Sequence, residues 1–306
     1  MNVAAVYGAV VLIWSTTPLG IRFSVESLDF IQALSIRMWF SLILCAVLVK
    51  VLALPFKRTR STVHGYLAGA IAITGAMLCV YYSAQTLPSG LIAVVWGLTP
   101  LVVSLYSRAW LPGVSINSRQ VLSMLIAVFG LYIIFAQGIH IGHDMFLSLA
   151  VLVLGVNLHG ISSVMLQYQQ VVKGEAPTHP IVQTTGALFV SAPIYGLLWW
   201  AVSGPLPETI SHGTWWAIGY LSVFGSVVGF IGYFYLMNRM SASDVSLITL
   251  LTPVLALLLG SYLADEQLAL SSLLGAGIIL GALFLYHLPH VQKVLRKLAL
   301  ISVKKA

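Results

Sequence analysis

Long apolar runs with no charge inside them dictate what this chain can become. Between Ser61 and Ser107 there is no Lys, Arg, Asp or Glu, whereas a helix needs only about 20 such residues to cross a hydrocarbon layer roughly 30 Å thick. That run holds two crossings, divided by Leu87-Pro88-Ser89-Gly90, because proline restricts the residue before it and these residue types suit a tight turn. The pattern recurs along the chain and predicts ten membrane-spanning helices at 3–22, 30–52, 64–84, 89–107, 119–137, 145–167, 180–201, 213–236, 244–263 and 271–288. Charged residues are 8% of 306, against roughly a quarter in a soluble domain, too few to coat a water-soluble fold. Barrel strands would show short alternating segments instead. The expected class is therefore an all-α polytopic membrane protein.

Charge placement tests the count and sets an orientation. With the N-terminus in the cytoplasm, thirteen of the fifteen basic residues fall on the cytoplasmic side, from Lys50, Lys57, Arg58 and Arg60 to Lys304 and Lys305. Arg22 falls outside and Arg37 within a span, while Glu26, Asp29, Asp144, Glu208, Asp265 and Glu266 take the far side. Positive residues in short loops stay inside, so both termini are expected to be cytoplasmic. The net charge of +7 then reads as an orientation signal and an attraction to anionic lipid, with no nucleic-acid partner expected. No cleaved signal is expected either, because Met1-Asn2 offers no positive start and the apolar pattern simply continues. Cys45 and Cys79 each sit in an apolar span and read as small packing residues rather than a disulfide. The basic tail from Val291 reads as an amphipathic anchor on the cytoplasmic headgroups, with a partner-binding helix as the rival.

The chain also repeats itself. Tyr82 to Pro100 reads YSAQTLPSGLIAVVWGLTP and Tyr235 to Pro253 reads YLMNRMSASDVSLITLLTP, matching at both ends with the same spacing. A weaker pairing sets Ile31-Gln32 against Val182-Gln183. Two five-helix halves follow, 1–138 and 144–288, with 289–306 as the tail. Five is odd, so the second half enters the membrane with inverted orientation. Two inverted halves can rock to open one face and close the other around a central site.

These residues carry a resemblance. Trp14-Ser15-Thr16-Thr17-Pro18, Arg37, the Leu87-Pro88-Ser89-Gly90 turn and Leu98-Thr99-Pro100 come from the first half. Ser241-Ala242-Ser243, Leu251-Thr252-Pro253-Val254, Glu266 and the Gly275, Gly277, Gly281 pattern come from the second. In order and over residues 3–288, the set resembles the EamA-like ten-span branch of the drug/metabolite transporter superfamily. The resemblance implies a bacterial inner-membrane exporter with both termini cytoplasmic. It also implies a central cavity lined by the first, third, fourth, sixth, eighth and ninth spans, and a small solute, in many relatives an amino acid.

Candidate cavity residues are polar or aromatic side chains within these spans. Trp14 can share a helix face with Thr17 and Pro18. Tyr81, Tyr82, Tyr233 and Tyr235 line a pathway or form an interfacial aromatic belt. Asn157 and His159 are polar groups at a depth where polarity is costly unless paired, so they face the bundle, as substrate or proton ligands or as interhelical hydrogen bonds. Trp96, Thr99 and Thr252 are further candidates, with the threonines also suited to bonding their own helix backbone. Arg37 suits an anionic substrate if it faces the cavity and a structural or gating role if it does not, the latter being the reading preferred here. The second half has Leu188 at that place. Pro18, Pro100 and Pro253 are candidate hinges, Pro193 a further break, Gly275, Gly277 and Gly281 a close-packing face, and Glu266 a gate or a topology residue.

Absences narrow the chemistry. No acid lies deep in a span, and neither a Walker loop, an HExxH pair nor a GxSxG serine occurs. No cofactor, metal or catalytic residue is expected. The reading is a secondary transporter exporting a small uncharged or zwitterionic metabolite, an amino acid or close derivative, by alternating access. Broad drug efflux, a membrane-embedded enzyme and a non-transporting receptor remain as rivals, and the residues do not choose between monomer and homodimer.

Overall fold

A computed structural model describes residues 2–141, 143–246, 248–264 and 270–303, and every regular element among the described residues is helical. Helix α1 (Val3–Ser24) opens on Asn2, whose side chain accepts from the Ala4 amide. Helix α2 (Phe30–Val51) opens on a capping box, in which Asp29 accepts from the first-turn amides while Gln32 reaches back to the Asp29 amide. There follow α3 (Arg60–Ser83), α4 (Ser89–Trp110), α5 (Ser118–Ile141), α6 (His143–Val171), α7 (Pro180–Val202) and α8 (His212–Met237). A short helical piece, Ala242–Ser246, precedes α9 (Ile248–Leu263), and α10 (Leu270–Val303) follows. Seven of these, α1 to α4 and α6 to α8, are long and apolar enough to cross a membrane. Shorter apolar cores lie at Ser118–Ile134, Thr252–Leu263 and Leu273–Tyr286. The protein is thus an all-α polytopic membrane protein. Its outer face is correspondingly apolar: Leu12, Leu125, Leu197, Trp200 and Tyr262 are all exposed.

Three boundaries differ from the sequence expectation. Most of the link expected at 138–144 is helical, because α5 runs on to Ile141 and α6 begins at His143. Helix α10 continues unbroken from the last expected span into the expected tail, as far as Val303. Helix α4 is interrupted at Gly97-Leu98 and restarts at Thr99, which places Pro100 in a first turn, where its missing N–H costs no intrahelical bond.

Two interruptions were not expected at all. Helix α3 widens into π-helix at Ile71–Ala76, and α8 does so at Leu221–Val228. Such widening frees carbonyls from the regular ladder, and it gathers at functional sites. The freed groups find partners on neighbouring helices. Tyr195 of α7 donates to the carbonyls of Ile73 and Thr74 (2.7 and 2.6 Å), and Ser41 of α2 donates to that of Ser222 (3.2 Å). A widened turn leaves no mark on hydropathy in spans that are apolar throughout.

Helices α2 and α7 pack antiparallel against each other. Ser35, near the start of α2, donates to the Tyr195 carbonyl near the end of α7 (3.0 Å). Gln32 donates to the carbonyls of Gly204 and Pro205 just past the end of α7 (3.0 and 3.2 Å). At the other end Gln183, near the start of α7, donates to the Gly65 carbonyl of α3 (2.6 Å). Helices α5 and α10 pair to one side, where a Cβ on Gly275 would lie 2.8 Å from the Gly130 carbonyl oxygen. Gly275 therefore belongs to a close contact. Gly277 and Gly281 do not, since a Cβ on either meets nothing within 4 Å. The glycine face expected from the sequence reduces to one residue. Cys45 and Cys79 are buried and free.

Candidate functional site

Six helices, α1, α3, α4, α6, α8 and α9, surround a cavity with about 660 Å³ of unfilled space including its opening, and α2 contributes one residue, Arg37. The polar and aromatic walls come from Trp14 and Thr17 of α1, Trp96 of α4, His159 of α6, and Thr249 and Thr252 of α9. Pro18, Met77, Ile92 and Phe230 supply apolar wall, and both π-helical segments reach the cavity, through Ala72 and Gly225.

The aromatic side is a cluster drawn from four helices. The Trp14 ring lies edge-on to His159 (6.0 Å between centroids) and tilted against Tyr233 (5.4 Å); His159 lies 5.3 Å from Trp96 and 5.5 Å from Tyr233. Rings at such distances and tilts attract beyond simple burial. The Tyr233 hydroxyl pairs with Ser163 Oγ (2.7 Å), which itself donates to the His159 carbonyl (2.8 Å). The cluster is thus tied to α6 through a hydroxyl relay as well as by packing. Trp14 requires glycine opposite it: a Cβ on Gly229 would lie 2.9 Å from the indole Nε1.

Arg37 forms the other side. It is 1% exposed; its Nε donates to Ser226 Oγ (2.8 Å), its Nη1 to the Tyr81 hydroxyl (3.3 Å), and its guanidinium carbon lies 5.8 Å from the centre of the Tyr81 ring. No carboxylate among the described residues lines the cavity. Glu26, Asp29, Asp144 and Glu208 are exposed, and Glu175 and Asp244 are half-buried elsewhere. Nor is there, among the described residues, a group of His, Cys, Asp or Glu placed to hold a metal ion.

Of the residues singled out from the sequence, Trp14, Thr17, Pro18, Trp96, His159, Thr252 and Arg37 line this cavity, with Tyr81 and Tyr233 directly behind it. The remaining candidates lie elsewhere. Asn157 accepts from the Tyr106 hydroxyl (3.1 Å) and donates to the Val153 carbonyl, so it serves the α4–α6 contact. Tyr82 packs edge-on against Phe30, and Tyr235 stacks under Arg239 at 3.8 Å. Thr99 bonds the Trp96 carbonyl (2.6 Å) across the break in α4. Pro100 is buried beside that break, and Pro253 faces Gly97, where a Cβ would approach it to 3.3 Å. Glu266 lies outside the described residues. Apolar lining from Met77 and Phe230 gave no signal, because nothing distinguishes a cavity-facing apolar residue from a packed one.

The chain is similar to known proteins along nearly its whole length. The profile of the EamA-like transporter family matches residues 4–136 and 146–288. An uncharacterized inner membrane transporter of Escherichia coli K12, YedA, is 26% identical over 280 residues, covering 90% of this chain and 88% of its own. An uncharacterized transporter of Archaeoglobus fulgidus is 25% identical over 288 residues, covering 90% and 95%. Protein PagO of Salmonella typhimurium is 23% identical over 280 residues, covering 90% and 89%. A solved crystal structure superposes on 94% of this chain and 97% of its own with a TM-score of 0.66 at 15% identity, a likeness of fold.

Proposed function

This chain belongs to the EamA-like transporter family, and from that premise we propose that it is a secondary transporter exporting a small metabolite, an amino acid or close derivative, across a bacterial inner membrane by alternating access. The observation that carries the reading is the cavity itself, enclosed by helices from both of the separately matched segments. In this reading the ten helices form two inverted halves, 1–138 and 144–288, with both termini cytoplasmic. The pairing of Gln32 and Gln183 supports the inversion, since each lies near the start of its own helix, at opposite ends of the α2–α7 pair, and donates to a backbone carbonyl of another segment. So does the recurrence of π-helix in α3 and α8. Inverted repeats around a site at mid-membrane depth are the architecture of secondary transporters that expose one face at a time.

Efflux of lipophilic cations fits less well, because the charged group on the cavity wall is itself a cation. The test is counterflow into proteoliposomes, with a panel of amino acids, acylated amino acids, nucleosides, polyamines and amphiphilic cations. Saturable exchange of one class is expected, lost when Trp14 and His159 are both replaced by Ala. Retention of full exchange by that double variant would remove the cavity from the pathway.

A further inference from the structure

We propose that the transported molecule presents a carboxylate, or another planar anion, to Arg37 and carries no free ammonium; this rests on the transport reading above and narrows its substrate class. Arg37 is 1% exposed and cannot shed its proton. A guanidinium has five N–H donors, and two of them are spent, on Ser226 and Tyr81. Among the described residues Nη2 has no hydrogen-bond partner, although Arg37 lines the cavity. A buried charge is costly unless an opposite charge meets it, and here both protein partners are neutral hydroxyls. Among the described residues no carboxylate meets it, which leaves the cavity as the source of a counter-charge.

The site fits an anion of one shape. A planar donor fork matches a carboxylate edge-on, and charge-assisted bonds of this kind are the strong ones. Gly225 keeps the approach open, since a Cβ there would lie 3.0 Å from Nη2. The rest of the wall, with Trp14, Trp96, Met77 and Phe230, suits an apolar or aromatic body. Among the described residues no acid lines that wall to balance an ammonium, and the charge of Arg37 repels one. Amphiphilic monocarboxylates whose amine is absent or acylated therefore suit the cavity better than free amino acids do. Arg37 thus takes a binding role in place of the structural or gating role preferred from sequence alone.

The test is counterflow with the full-length protein in proteoliposomes, using 3-phenylpropionate, its primary amide, phenylalanine and N-acetylphenylalanine, with octanoate and octanamide as an alkyl pair. Each acid is expected to exchange at least about tenfold faster than its amide, the scale of one hydrogen bond to a charged group. N-acetylphenylalanine should likewise outrun phenylalanine. Arg37→Gln should abolish the preference for acid over amide, and Arg37→Lys should restore part of it. The comparison of acid with amide needs no variant, so a misfolded Arg37→Gln does not blunt it. Amides exchanging as fast as acids, or phenylalanine as fast as its acetyl derivative, would overturn the role of Arg37 while leaving transport intact. Silence for every probe, from protein with an intact thermal transition, would overturn both this inference and the transport of such solutes.

Discussion

Helices α2 and α7 start alike and diverge within two turns. Ile31-Gln32 and Val182-Gln183 begin them, and both glutamines donate to backbone carbonyls at opposite ends of the pair. Each helix also serves a π-helical segment on a different neighbour: α7 attends α3 through Tyr195, and α2 attends α8 through Ser41 and Arg37. Three residues beyond the glutamine the two part. Ser35 of α2 bonds the Tyr195 carbonyl, while Gly186 of α7 leaves room for the Tyr66 ring, whose Cδ1 would lie 2.2 Å from a Cβ there. Two residues later α2 has Arg37 on the cavity wall, and α7 has Leu188, fully buried in apolar packing. The matched position is charged and on the cavity wall in one helix and apolar and packed in the other, so two similarly starting helices carry different side chains at the same place.

Copying residues from one helix to the other breaks or sharpens this contrast. The largest effect is expected from Leu188→Arg, which buries a cation with no cavity to face; an uncompensated buried charge costs several kcal/mol, and the protein should fail to give a cooperative thermal transition in detergent. Gly186→Ser, which copies Ser35, should destabilise by about 1–3 kcal/mol through overpacking against Tyr66, seen as a lowered Tm. Tyr195→Phe leaves the widened turn of α3 without its donor and should cost about 1–2 kcal/mol in the same assay. Smallest of all, Leu197→Ala, which copies Ala46 at an exposed position, should stay within about 0.5 kcal/mol. An equal loss from Leu188→Arg and Leu197→Ala would erase the distinction between the buried and lipid-facing sides of α7.

The sequence made the helices legible because charge-free length is nearly sufficient to mark a span. It also marked Trp14, Trp96 and His159, whose polar or aromatic character is conspicuous in an apolar run. Asn157 was marked by the same rule and serves a helix contact instead, because the cost of buried polarity is met equally well by a neighbouring Tyr106 as by a cavity. Tyr82 and Tyr235 coincide under the repeat yet pack against Phe30 and Arg239. Repetition fixes position along a helix and leaves rotation about its axis open. The turn at Gly97-Leu98 and the two π-helical segments stayed hidden for a related reason: hydropathy does not register how a backbone is wound.

In the proposed alternating-access reading, the Gln32 contacts with Gly204 and Pro205 and the Gln183 contact with Gly65 hold opposite ends of the α2–α7 pair. A single cysteine at Thr17, on the cavity wall, in a chain with Cys45→Ala and Cys79→Ala, reports on both ends when a membrane-impermeant maleimide is applied from each face in turn. Gln183→Ala should raise labelling from the face where α7 starts and lower it from the other, and Gln32→Ala should do the reverse, each by about two- to tenfold, the range one hydrogen bond spans. Labelling that rises from both faces in either variant, or that moves in neither, would contradict a cavity open to one side at a time.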